Sequence, residues 1–136
     1  MADVTVRQLR LVIEAEDFEE AVAFYRDALG LAEEFSVESE GGAHVLALQA
    51  GRATLEIINP AQRRLIDELE VGREVSRSMR VAFEVDDAAA TTRELVEAGA
   101  RLLAPPTETP WRSLNSRIEA PADLQLTIFQ ELGAAD

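Results

Sequence analysis

The sequence contains no cysteine. That excludes disulfides, zinc–thiolate centres and iron–sulfur clusters together. Histidine is almost as scarce. His44 stands alone, so no multi-histidine metal site and no Cys–His nucleophile pair can be assembled. Aromatic residues make up 5% of the chain, with one tryptophan, Trp111. No apolar run approaches the roughly 20 residues of a membrane span. The opening MADVTVRQLR has neither the basic nor the apolar region of a secretory signal, and a cytoplasmic protein is the expectation. Basic residues are also few, 13 against 26 acidic ones, for a formal net charge of −13. A phosphate backbone needs a basic footprint, so neither a nucleic-acid nor a membrane partner is expected. The acidic residues are spread along the chain, as they are on a surface kept soluble by charge.

What is present is a repeat. LRLVIEAED from Leu9 lies over MRVAFEVDD from Met79 at an offset of 70, matching Arg10 with Arg80, Glu14 with Glu84 and Asp17 with Asp87. Later, TLEIIN from Thr54 lies over QLTIFQ from Gln125 at an offset of 71. A register held to one residue across half the chain marks two copies of one supersecondary unit. At 136 residues the chain suits a single domain, with a first unit at 1–59, a linker with a short helix at 60–77 and a second unit at 78–136.

Each unit reads as strand, helix and three strands. Asp17 and Asp87 are suited to cap the helices, and Gly30 and Gly99 to stop them. Phe18, Ala21, Val22, Tyr25, Ala28 and Leu29 predict one apolar face on the first helix. Strands are predicted at Glu33–Ser39, His44–Gln49 and Ala53–Ile58, then at Arg101–Ala104, Ser113–Glu119 and Leu124–Gln130. Gly41-Gly42 and Gly51 mark hairpin turns. Asn59 and Pro60 open a linker helix with Leu65, Ile66 and Leu69 on one side. Pro105, Pro106 and Pro110 predict an irregular loop leading to Trp111. The resulting fold class is α+β, with two tandem βαβββ units forming a curved antiparallel sheet cup whose concave side suits a ligand.

The stretch LVIEAEDFEEAVAFYRDALGL, with Phe24-Tyr25 and Leu29-Gly30-Leu31, resembles the opening of glyoxalase, bleomycin-resistance and extradiol dioxygenase proteins, the vicinal-oxygen-chelate superfamily. VAFEVDD is similar to its second opening, and PWRSLNSRIEAPADLQLTIFQ to its last two strands. The resemblance implies four cup-facing positions that carry metal ligands in metal-using members: here Arg10, Glu56, Arg80 and Thr127. Only Glu56 is a plausible ligand, because an arginine has no lone pair to give. Neither a bound metal nor another cofactor is therefore expected. The resemblance also implies a homodimer.

Trp111 is a candidate to stack on a ligand or to cover the core. His44 is a packing residue or a lone base. Glu14 and Glu84 share faces with Arg10 and Arg80 and are expected to pair with them or to line the rim, an anionic ligand being the alternative partner. Phe35, Phe83 and Phe129 are expected in the core. Three functions follow. The first is a metal-independent small-molecule binder like the drug-sequestering members, whose ligand is cationic by the overall charge or anionic by Arg10 and Arg80. The second is a divergent enzyme using Glu56, and the third a macromolecule-binding scaffold.

Overall fold

The computed structural model describes residues 6–133. Along the chain lie β1 (Gln8–Glu14), α1 (Phe18–Val22), β2 (Glu33–Glu38), β3 (His44–Ala50), β4 (Ala53–Ile58) and α2 (Pro60–Glu70). Then come β5 (Met79–Glu84), α3 (Ala88–Glu97), β6 (Arg101–Glu108), β7 (Ser113–Ala120) and β8 (Leu124–Glu131). All eight strands join one open, curved sheet in the order β2-β3-β4-β1-β5-β8-β7-β6. The order is symmetric about its middle, because each half is one βαβββ unit. The two units meet where β1 and β5 pair antiparallel, Leu11 opposite Val81. The sheet is mixed rather than uniformly antiparallel: β1 pairs parallel with β4, and β5 with β8. A long connection runs between the opening and closing strand of each unit, as parallel pairing requires.

Alternation along the strands decides the packing. One face sends Leu46, Leu48 and Ile57 against Phe18 and Val22 of α1. The same face sends Val85, Ile118, Leu126 and Ile128 against Ala88 of α3. The opposite, concave face carries Val12, Val45 and Ile58 with Phe35 against them. The predicted caps form. Asp17 accepts from the Glu20 N–H at 3.0 Å, Asp87 from Ala90 at 3.0 Å and Asn59 from Gln62 at 2.8 Å, each worth about 1 kcal/mol. Gly30 and Gly99 follow their helices at φ 87° and 118°, a region where other residues are strained.

Four local readings need correction. The first helix is α-helical only to Val22 and continues as a π-helical turn, Ala23–Ala28, where the Leu29 N–H donates to the Phe24 carbonyl at 2.8 Å. The wider turn rotates Ala28 and Leu29 off the predicted apolar face, leaving Leu29 61% exposed. The second correction is at Pro105 and Pro106, which lie inside β6 and not in a loop. That strand ends the sheet and slips register at Leu102/Ala104 and Ala104/Thr107, and an edge strand tolerates missing N–H donors. Third, α2 buries Gln62, Ile66, Asp67 and Glu70, while Leu69 is only half-buried. Fourth, Phe35 and Phe129 line the concave face as well as packing in it. Among the described residues, no helix is long and apolar enough to cross a membrane.

Candidate functional site

Between α2 and the concave face lies a cavity of about 380 Å³, at the small end of the roughly 300–1,000 Å³ of ligand sites. All five residues predicted for the cup, Arg10, Glu56, Arg80, Trp111 and Thr127, line it. The two halves furnish it unequally. The first half contributes the apolar side, with Val12, Phe35, Val45 and Ile58. The second contributes more of the polar groups than the first, with Arg80, Ser113, Asn115, Thr127 and Glu131. Trp111, 47% exposed in the turn between β6 and β7, stands at the rim.

The floor follows from register. On β4, β1 and β5, Glu56, Val12 and Arg80 form one cross-strand row. On β1, β5 and β8, Arg10, Ala82 and Thr127 form its pseudo-symmetric counterpart. Each arginine then reaches the closing strand of its own half. Arg10 Nη1 lies 3.2 Å from Glu56 Oε2, and Arg80 Nε donates to Thr127 Oγ1 at 3.0 Å. The guanidinium of Arg10 also donates from Nε to Gln8 at 2.8 Å and lies over the rings of Phe35 and Phe129, 5.6 and 5.0 Å from their centroids. Arg10 is thus ion-paired and stacked. Arg80 is 7% exposed, and among the described residues no carboxylate lies within 4.0 Å of it. Burial raises the Glu56 carboxyl above its ordinary range, against the opposing pull of Arg10 and Arg80. Burial and Arg117 lower the guanidinium of Arg80, with Glu70, Glu56 and Asp67 opposing from beyond contact.

The expected pairing of Glu14 and Glu84 with the cup arginines does not occur. Glu14 binds Arg63 of α2 at 3.1 Å, and no ion pair joins Glu84 to an arginine among the described residues. α2 covers one end of the concave face and takes Glu14 with it. His44 lies outside the cavity, 2.8 Å from the Ser36 hydroxyl and tilted against Phe18 at 4.4 Å. It is a packing residue, not a base for this site.

Sequence reasoning missed what holds α2 in place. Arg117 on β7 is fully buried and donates to Asp67 at 3.1 Å and to Glu70 at 2.7 Å, both of them buried. Its Nη1 also donates to Ser76 at 2.8 Å and to Gln125 at 3.0 Å. Asp67 further accepts from the Val75 and Ser76 N–H groups, each at 3.0 Å. Burial pushes the Asp67 carboxyl up, but donors from Ser76, Val75 and Arg117 outweigh it and leave the group below its ordinary range. Glu70 and Gln62 carry α2 into the cavity wall. The available signal was the inward row Ser113, Asn115, Arg117 on β7, polar where a core-facing row is apolar.

The four positions where the resemblance implies metal ligands converge, but they do not fit a divalent ion. Glu56 is already engaged by Arg10, Thr127 offers only a hydroxyl, and the two guanidiniums offer donors alone. Among the described residues no three His, Cys, Asp or Glu side chains gather where they could hold an ion.

The sequence profile of the Glyoxalase/Bleomycin resistance protein/Dioxygenase superfamily matches residues 7–127. The chain belongs to that superfamily. Similar solved structures include a hypothetical protein from Bacillus halodurans, 12% identical with a TM-score of 0.69 over 99% of both chains. The methylmalonyl-CoA epimerase of Mycobacterium tuberculosis is 19% identical, with a TM-score of 0.68 over 98% of this chain and 93% of that one. A Streptomyces coelicolor methylmalonyl-CoA epimerase variant bound to 2-nitronate-propionyl-CoA is 19% identical, with a TM-score of 0.67 over 96% of this chain and 100% of the other. At these identities the likeness is one of fold. Among curated proteins none gives a significant match.

Proposed function

We propose that the protein is a metal-independent receptor for a small, largely apolar molecule held in the cup. The observation that carries this reading is the cavity itself: about 380 Å³, walled by Val12, Phe35, Val45, Ile58 and Leu65, with arginines where lone-pair donors would be needed for metal chemistry. A shaped apolar cavity with a few convergent polar groups is what a binding protein requires, and a reactive centre is not. A drug-sequestering role falls within this reading. The unit of function is a homodimer. Phe24, Leu29 and Val37 are each 47–61% exposed, and the outer strands β2 and β6 leave open edges that a second copy covers. The test uses chelator-treated protein and a panel of antibiotics and metabolites, read by melting temperature and Trp111 fluorescence. A bound compound raises the first by mass action and changes the second. If no compound moves either, the reading is wrong.

A second reading draws on Glu56. Its carboxyl is buried on the cavity floor and raised above the ordinary range by that burial, a state suited to proton transfer. In an enzyme of this kind, Glu56→Gln keeps binding and loses turnover. In a receptor, Glu56→Gln has no turnover to lose.

A further inference from the structure

The two halves of the floor are built alike and finished differently. Arg10 and Arg80 occupy equivalent positions, and each reaches an equivalent position on the closing strand of its half. In the first half that position holds Glu56, and an ion pair forms at 3.2 Å. In the second it holds Thr127, whose hydroxyl takes only the Nε–H, at 3.0 Å. A guanidinium has five N–H donors. On Arg80 the donors of both terminal nitrogens find no acceptor among the described residues, though the side chain is more than nine-tenths buried and lines the cavity. The surplus carboxylate at the Arg117 cluster, Asp67 and Glu70 for one arginine, offsets the charge of Arg80 at a distance. It does not satisfy those N–H groups.

A second polar group is also unfinished. Gln62, on α2, lines the same cavity, and its Oε1 is buried with no hydrogen-bond partner. The lining also carries the Glu56, Glu70 and Glu131 carboxylates, while the apolar side, with Val12, Phe35, Val45 and Ile58, lies on the first half of the sheet.

We infer that the ligand is a carboxylate on an apolar body, with its two oxygens held by the free fork of Arg80 and its body lying against Phe35, Val45 and Ile58. A planar carboxylate matches two parallel N–H donors in a way that a point anion or a neutral amide does not. Thr127 holds the guanidinium by Nε and leaves the fork turned to the ligand. Of the carboxylates that share the cavity, Glu56 is engaged by Arg10 and Glu70 by Arg117, so the fork of Arg80 is left as the donor set for the ligand.

The inference rests on the receptor reading, and the experiment separates the two. Chelator-treated protein is titrated with 3-phenylpropionate and with 3-phenylpropanamide, which differ only in the charged end, by calorimetry and Trp111 fluorescence. The carboxylate is expected to bind at least about tenfold more tightly, the worth of one charge-assisted contact. Arg80→Met should bring it down to the level of the amide, and Arg80→Lys, which keeps the charge and loses the fork, should fall between. Equal binding of acid and amide, or a preference that survives Arg80→Met, overturns the inference. So does binding of neither, and if neutral compounds of the panel still bind, the receptor reading stands without it. The wild-type comparison needs no variant, so a misfolded Arg80→Met leaves the test intact.

Discussion

Arg117→Met puts the anchoring of α2 to the test. Arg117 and Asp67 are fully buried and Glu70 is 2% exposed. Removing the cation strands carboxylates in the interior, which costs about 3–5 kcal/mol. Part is returned, because Arg117 Nε is itself buried with no partner and its loss recovers about 1–2 kcal/mol. The net expectation is roughly 2–3 kcal/mol out of a total of about 5–15 kcal/mol. With a urea slope of about 1–3 kcal/mol/M, the unfolding midpoint falls by about 0.7–3 M. Asp67 keeps its donors from Val75 and Ser76, so Glu70 bears most of the stranding. Adding Glu70→Gln should therefore restore much of the loss. Urea titrations followed by circular dichroism measure both effects. A midpoint that moves by less than about 0.3 M in the single variant, or no recovery in the double, refutes the claim that these charges hold the helix.

Arg10→Met should cost about 1–3 kcal/mol, because it leaves the buried Glu56 carboxylate without its donor. Arg80→Met should be neutral or stabilising in the same urea assay, since the arginine it removes has no ion pair. Stability should also depend on pH from both sides. The folded pKa of Glu56 is raised, so its contribution is full below about 4.3 and is lost as pH rises through the folded value. The folded pKa of Asp67 is lowered, so its contribution is present above about 3.9 and is lost as pH falls through the folded value. Glu56→Gln should flatten the decline on the high-pH side; an unchanged slope in urea titrations across pH would contradict this. Sedimentation at micromolar concentration should give a species of twice the 14.9 kDa chain, and a monomer alone would sink the dimer.

The repeat was legible because both copies keep the same short-range devices. An apolar alternation runs into an aspartate cap, and a glycine stops the helix; such signals depend on neighbours in sequence. The repeat pairs Arg10 with Arg80 and Glu56 with Thr127, and the resemblance to the superfamily is what placed all four on the floor of the cup. The α2 anchor could not be placed. Leu65, Ile66 and Leu69 have helical spacing and read as the inner stripe, yet Asp67 and Glu70 go inside because Arg117 waits there, 50 and 47 residues away in sequence. Glu14 was misassigned for the same reason: its partner, Arg63, belongs to a helix whose position is set by that distant pair. The π-helical turn after Val22 has no counterpart in the apolar spacing that suggested a continuous helix.

The placement of α2 has a consequence for how this cup can be remodelled. Ala47 on β3 lies beside Glu56, and Arg117 on β7 lies beside Thr127, so duplicated positions hold an alanine in one unit and the rivet of the helix in the other. The two walls are therefore unequal in how much change they tolerate. Trimming Val45 or Ile58 enlarges the chamber at the ordinary cost of a core truncation, about 1–3 kcal/mol for a few buried methyl groups. Trimming the Arg117 side unseats the roof before it makes room. A redesign for bulkier guests has one wall to work with, although two like units build the chamber.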